Sequence, residues 1–131
     1  MAKLTPYLFS GNAREQADFY VEALGGEVLS VMTHGDQFGE NAPNKDKVMH
    51  LSFIAAGATF YMTDDPLGLS GSSNRVALNL EFETHERTRE AYEKLSAGGQ
   101  VMHPLEKAFW GPLFGQFTDK FGVQWMISSA T

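Results

Sequence analysis

The sequence contains no cysteine, few positive charges and no long apolar run. Without cysteine the chain forms no disulfide, thiolate metal site or Cys nucleophile, and a reducing compartment is favoured. Ten Lys and Arg against 16 Asp and Glu give a net charge of −6, which repels nucleic acid and anionic membranes. No apolar run reaches the roughly 20 residues that span a bilayer, and the N-terminal residues lack a signal-peptide segment. We predict a cytoplasmic protein that binds neither nucleic acid nor membrane.

What the sequence does contain is a repeated pattern of capped helices. A chain of 131 residues with 43% apolar residues suffices for one globular domain. One predicted helix follows the N-cap residue Asn12 and ends at the glycine pair 25–26, and the other follows Thr84 and ends at the pair 98–99. The two glycine pairs are 98 − 25 = 73 residues apart. This spacing indicates an internal duplication.

Strand-like runs surround each helix in the same order. One run precedes each helix and three follow it, which gives βαβββ twice. We predict an α+β fold of two modules, residues 1–65 and 75–131, joined by a Gly- and Ser-rich linker at 66–74. The polar stretch 35–47 is predicted to be a loop, either mobile or a lid. The predicted strands are 4–10, 27–34, 47–55 and 58–64 in the first module and 75–83, 100–106, 113–119 and 123–128 in the second.

Side chains alternate along a strand, so each run has two faces. The apolar row of each run, which in the fifth strand includes Val76, is expected to lie under the helix. The mixed rows on the other face would line a concave cup. Because a unit this short cannot bury its own apolar face, the modules should pack on each other or on a second chain. Residues predicted to face the cup include His50, Tyr61, Asn79, Glu81, Gln124 and Met126.

The segment 108–127 concentrates six aromatic residues. Trp125 is predicted to lie in the helix-covered core, while Asp119 opens a hairpin turn that Gly122 closes. Two interpretations stay open for four of the other rings, which either wall the cup or pack in a core or dimer interface. These rings are Phe109, Trp110, Phe114 and Phe117.

Three stretches resemble the vicinal oxygen chelate superfamily, and in particular its PhnB-like branch. They are "PYLFSGNAREQADFYVEALGGEVLSVM", "KVMHLSFIAAGATFYMTDD" and "GGQVMHPLEKAFWGPLFGQFTDKFGVQWMI", and they cover most of the chain. The superfamily includes glyoxalase I, bleomycin-resistance proteins and extradiol dioxygenases. The resemblance implies two βαβββ modules that form a cup, which in PhnB-like members is completed by module exchange in a homodimer.

Metal-dependent relatives hold a divalent ion with four His or Glu ligands, which lie on the first and last strand of each module. By resemblance these positions correspond to Thr5, Tyr61, Arg75 (or one of the next two residues) and Met126. A hydroxyl or a thioether binds such ions poorly, and a guanidinium repels them. We therefore predict no cofactor, although a divalent metal at other residues stays open. Such a site would draw on His50, Asp64, Glu81, His103 and Glu106.

Four functions stay open. In the first, which we favour, the cup binds a small organic molecule. That ligand is anionic if Arg75 forms forked hydrogen bonds with a carboxylate or phosphoryl group. The predicted apolar walls are Tyr7, Tyr61, Trp110, Phe114 and Met126, and the predicted polar contacts are Thr5, His50, Arg75, Asn79, Glu81 and Gln124.

The other three functions differ in their chemistry. In the second, the protein is an enzyme in which His50 acts as the general base and Glu81 orients it or acts as an acid. The third is a metal-dependent, glyoxalase-like lyase or isomerase reaction. The fourth is a dimer module without ligand chemistry.

Overall fold

The computed structural model describes residues 3–64, 76–108 and 111–131. The chain divides into two compact units, Met1–Gly71 and Ser72–Thr131, and each contains one βαβββ module. The α+β fold of two such modules, predicted from the sequence, is confirmed. The predicted linker at 66–74 lies outside the described residues, so the module boundaries stay predictions.

The first unit is a four-stranded sheet covered by a helix. The strand order is β1-β4-β3-β2, with β1 parallel to β4 and the other pairs antiparallel. The predicted cap Asn12 accepts a hydrogen bond from the Glu15 N–H at 3.2 Å. Tyr20 packs on Phe53 with ring centroids 6.0 Å apart, so α1 covers the face of the sheet that carries Phe53. The elements are β1 (Tyr7–Ser10), α1 (Ala13–Leu24), β2 (Gly26–Thr33), α2 (His34–Phe38), β3 (Val48–Ala55) and β4 (Ala58–Asp64).

The second unit repeats this arrangement with the strand order β5-β8-β7-β6. Thr84 caps its helix by accepting a hydrogen bond from the Arg87 N–H at 3.1 Å. Tyr92 of that helix meets Phe117 edge-on at 5.5 Å, which identifies the covered face. Trp125 is fully buried, as predicted, and Phe117 is also core rather than part of a cup wall. The elements are β5 (Leu78–Phe82), α3 (His85–Ser96), β6 (Gln100–Lys107), β7 (Leu113–Thr118) and β8 (Gln124–Ser129).

The second glycine of each pair begins or precedes a strand in close contact with its neighbour. A Cβ on Gly26 would lie 1.8 Å from the Ile54 carbonyl oxygen, and one on Gly99 would lie 2.2 Å from the Thr118 oxygen. Both distances are far shorter than a van der Waals contact, so only glycine fits. The repeated glycine pair therefore has a packing cause in both modules.

The two units close their last hairpin differently. In the first, Ala56 and Gly57 form a two-residue turn with φ of 52° and 78°, as in a type I′ turn. In the second, the predicted turn that starts at Asp119 is confirmed: its carboxylate accepts hydrogen bonds from the Phe121 and Val123 N–H groups at 2.8 and 3.0 Å. The same carboxylate accepts the indole N–H of Trp125 at 2.8 Å, which ties the turn to the core.

The predicted loop at 35–47 is not wholly a loop. Helix α2 occupies its start, because Thr33 and Asp36 form a capping box with hydrogen bonds of 3.0 Å in both directions. Further along, the backbone N–H of Gly35 donates to the Lys45 oxygen at 2.8 Å, which closes the segment on itself. Sequence analysis missed this helix because it is short and carries no apolar stripe.

Two strands begin three residues later than predicted. β1 starts at Tyr7 instead of Leu4, which is 94% exposed, because Pro6 has no N–H for a sheet ladder. β5 starts at Leu78, whose partner Trp125 is the second residue of β8, so β8 extends only one residue further along the chain that precedes Leu78. Val76 is consequently 75% exposed and does not join the apolar row under the helix.

Within the described ranges, the longest helices, α1 and α3, have 12 residues each, and no helix there is both long and apolar enough to cross a membrane.

Candidate functional site

The face of the first sheet opposite α1, here called the first open face, carries four rings in contact. The register aligns Tyr7 with Tyr61, and the ring centroids lie 6.2 Å apart. The His50 ring lies 5.0 Å from Tyr61 and 6.1 Å from Tyr7, and Phe9 lies 5.6 Å from Tyr7. Tyr7 and Phe9 are nearly half exposed, and Tyr61 and His50 are half-buried. The structure thus brings three predicted site residues, Tyr7, His50 and Tyr61, together with Phe9. These four rings are here called the aromatic cluster.

The polar atoms of this cluster have no protein partner among the described residues. No side-chain hydrogen bond between those residues uses the phenol of Tyr7 or Tyr61 or the imidazole of His50. Ser52, aligned with Tyr61 on the neighbouring strand, bonds to Ser30 with the two hydroxyl oxygens 2.8 Å apart. The first open face therefore combines rings with hydrogen-bonding groups that bind no other residue of the described ranges.

Formal charge is scarce on this sheet. Its four strands contain no Lys or Arg, and their acidic residues are Glu27 and Asp64. Both carboxylate oxygens of Asp64 accept backbone hydrogen bonds of 2.7 Å, from Ala13 and Val48. Asp64 thereby joins the start of α1 to the start of β3, and it has a structural role. Thr5 lies two residues before β1 and is half-buried.

The corresponding face of the second sheet, the second open face, holds the remaining described candidates. The register aligns Asn79 with Met126, and Glu81 with Ser128. Phe114 is aligned with Ser128 and lies 5.4 Å from the His103 ring. Gln124, at the start of β8, alternates with Met126 on the same face. Asn79 and Glu81 are exposed, and Phe114, Gln124 and Met126 are half-buried.

Several predicted residues are not brought together. Arg75 and Trp110, with the neighbouring Phe109, lie outside the described residues. His50 belongs to the first unit and Glu81 to the second. Their proposed acid–base pair, and a single cup lined by both open faces, therefore stay predictions.

The donors at the three described metal positions implied by the resemblance are poor ligands for a divalent ion. Tyr61 is a ring of the aromatic cluster, Met126 offers only a thioether, and Thr5 offers a single hydroxyl. Elsewhere in the described ranges, no group of three or more His, Asp or Glu residues is placed to hold a metal ion. The His103 and Glu106 side chains form a single exposed pair, 3.8 Å apart.

Two residues of the first open face were missed by sequence analysis. Phe9 lies two residues after Tyr7 in "YLFS", so strand alternation could have found it. Ser30 could not be found that way, because a register shift between Val28 and Ser30 interrupts the alternation of β2.

Comparison with known proteins agrees with this fold. Residues 3–127 match the profile of the Glyoxalase/Bleomycin resistance protein/Dioxygenase superfamily. Protein YjdN of Escherichia coli is 30% identical over 95% of this chain and 93% of its own length. The crystal structure of protein PA1353 from Pseudomonas aeruginosa is 31% identical, covers 98% of both chains and has a TM-score of 0.85.

A further solved structure is described as a putative 3-demethylubiquinone-9 3-methyltransferase, PhnB protein, from Bacillus cereus. It is 25% identical, with 98% of this chain and all of that chain covered and a TM-score of 0.82. The family resemblance noted in the sequence is thereby confirmed, and the chain belongs to the glyoxalase/bleomycin resistance protein/dioxygenase superfamily.

Proposed function

We propose that this protein binds a small organic molecule, without the divalent metal of glyoxalase-type relatives. The aromatic cluster carries this proposal. Two phenols and an imidazole lie on a partly exposed face without a hydrogen-bond partner among the described residues, and such convergent polar groups among rings are typical of ligand sites. Sequestration of a molecule, as in bleomycin-resistance relatives, requires no catalytic residue. We place this function in the cytoplasm, because a chain without cysteine is compatible with a reducing compartment.

A ligand-observed NMR screen tests the proposal. The purified protein is mixed with a library of small organic molecules that includes anionic members, and hits are re-measured with Tyr61→Leu and Phe121→Leu variants. Both variants replace a ring with an aliphatic side chain, but Phe121 lies in the β7–β8 turn of the other unit. We expect hits that weaken in the first variant and persist in the second. A library without hits, or hits indifferent to Tyr61, would contradict the proposal.

We also propose a homodimer. The support is the resemblance to PhnB-like members, in which a homodimer completes the cup, and Leu4, which is 94% exposed just before the edge strand β1. Light scattering coupled to size exclusion should give twice the 14.5 kDa chain mass. A mass of one chain at micromolar concentration would reject the dimer.

Acid–base catalysis is a second candidate, because the half-buried His50 imidazole lies 5.0 Å from Tyr61 and makes no hydrogen bond to another described residue. A neutral imidazole has one donor and one acceptor nitrogen and can exchange a proton with a bound molecule. Each hit is incubated with the protein, and products are sought by NMR. Where turnover occurs, His50→Gln and Glu81→Gln should abolish it while affinity stays within several-fold. Undiminished turnover in both variants would reject these roles.

A further inference from the structure

We infer that the first open face binds the ring of a neutral, planar aromatic molecule that carries one hydrogen-bonding substituent. This inference rests on the proposed function and narrows its ligand class. It follows from the ring geometry, the serine pair and the absence of cationic side chains on the strands of the first sheet.

The rings favour an aromatic partner over an aliphatic one. Tyr7 and Tyr61 are inclined at 75° and Tyr61 and His50 at 57°, so the cluster presents ring faces and ring edges together. A further ring gains offset-stacked or edge-to-face contacts with such a surface, in addition to the burial that any apolar group gains. A saturated ring of the same size gains the burial alone.

The serine pair supplies a contact for a polar substituent. One hydroxyl of Ser30 and Ser52 donates to the other across 2.8 Å, and whichever donates, the second keeps its own proton. The pair therefore offers one donor as well as acceptor positions. Since Ser52 is the cross-strand neighbour of Tyr61, the backbones of these two residues are about 5 Å apart, one strand spacing.

The charge distribution favours a neutral ligand. An anion on this face would lose hydration without gaining an ion pair from the strands, because the four strands contain no Lys or Arg. The net charge of −6 adds a long-range repulsion. The anionic ligand considered above depends on Arg75, which lies outside the described residues.

Fluorine NMR of protein containing 3-fluorotyrosine tests the inference in the unmutated chain. Of the four tyrosines, Tyr7 and Tyr61 lie on the first open face, whereas Tyr20 is fully buried and Tyr92 packs against Phe117. Tyr7→Phe and Tyr61→Phe variants assign the resonances. The probes are 2-naphthol, its saturated analogue decahydro-2-naphthol, and the anion 2-naphthoate.

We expect 2-naphthol to shift the Tyr7 and Tyr61 resonances and to leave those of Tyr20 and Tyr92 in place. Its affinity should exceed that of decahydro-2-naphthol by up to about tenfold, the size expected for a well-placed aromatic pair. It should also exceed that of 2-naphthoate, because the anion loses hydration on this face without gaining an ion pair. Tyr61→Leu should remove this preference, Phe121→Leu should retain it, and Ser52→Ala should weaken 2-naphthol several-fold.

Three outcomes would overturn the inference. If 2-naphthoate or the saturated alcohol binds as tightly as 2-naphthol at these tyrosines, the ligand class is wrong while the proposed function stands. If none of the probes binds, the inference fails, and the library screen decides separately whether the proposed function fails with it. If the Tyr7 and Tyr61 resonances shift with protein concentration and no probe reverses that shift, a second copy of the chain covers the face.

Discussion

The two modules share a frame and differ in what they expose. In both, a capped helix covers one face of a four-stranded sheet, and a glycine allows close approach of the strand after the helix. On the open faces the first sheet has Tyr7 and Tyr61 where the second has Asn79 and Met126 at corresponding register positions. In the frame, Gly26 and Gly99 lie too close to a neighbouring strand for a larger residue to fit. The side chains of the open faces are not restricted by packing in this way. Function is therefore expected to lie where the modules differ.

The largest effect should come from the shared frame. Gly26→Ala and Gly99→Ala each push a Cβ against a backbone oxygen, so a strand must shift, and the cost should reach at least about 3 kcal/mol. Urea denaturation measures it. Gly11→Ala is the control, because a Cβ there meets no atom within 4 Å and φ is not positive, and it should change stability by less than about 1 kcal/mol. A tolerated Gly99→Ala would show that the modules do not share this constraint.

A somewhat smaller effect should separate the two hairpins. Asp119→Ala leaves two backbone N–H groups and the Trp125 indole without their acceptor, and it should cost roughly 2–3 kcal/mol. Lys120→Ala, in the same turn but exposed, should cost less than about 1 kcal/mol. Thermal unfolding followed by near-UV circular dichroism, which reports Trp packing, measures both. Equal costs for the two variants would show that the carboxylate does not anchor the turn.

The first hairpin should respond in the opposite direction. Ala56 has φ of 52°, a left-handed conformation that costs energy for Ala, and Asn-Gly is the preferred pair in such a turn. Ala56→Asn should therefore stabilise the protein by about 0.5–1 kcal/mol. Gly57→Ala, where φ is 78°, should destabilise it by about 1 kcal/mol. Denaturant midpoints compare the two, and destabilisation by Ala56→Asn would contradict the strained turn.

The smallest effect concerns α2, a helix that only the first module has among the described residues. Hydrogen bonds from the Thr33 backbone and side chain lower the pKa of Asp36 below its ordinary value of 3.8. A lowered folded-state pKa means that this stabilisation is present above the unfolded pKa and is lost as pH falls through the folded one. The protection of the α2 amides, corrected for their intrinsic exchange rate, should fall below about pH 4 in the wild type, and Thr33→Ala should lower it already at neutral pH. Equal α2 exchange at neutral pH in the wild type and Thr33→Ala would argue against the capping box.

Most of the fold could be predicted from the sequence because its signals are local. Caps at Asn12 and Thr84, glycine pairs and strand alternation identify both modules, and Asp119 identifies the last turn. The late start of β5 could not be predicted, since it depends on where β8 begins. The same holds for Ser30, whose place on the face is set by a bulge.

The site was predicted less completely. Alternation grouped His50 with Tyr61 correctly, because both strands are regular there. The contact between their rings depends on strand pairing, which a sequence does not encode locally. The same is true of their lack of hydrogen-bond partners among the described residues.

The parallel pairing of β1 with β4 has a thermodynamic consequence. β1 is four residues long, lies at the sheet edge and pairs with β4 alone in its sheet, so fraying of this strand should be among the least costly local openings. A molecule held between Tyr7 and Tyr61 would bridge the frayed strand to its neighbour and shift the opening equilibrium toward the closed state. Binding of a molecule at this position would then be detected as slower backbone deuterium uptake in residues 7–10, even before the bound compound is identified.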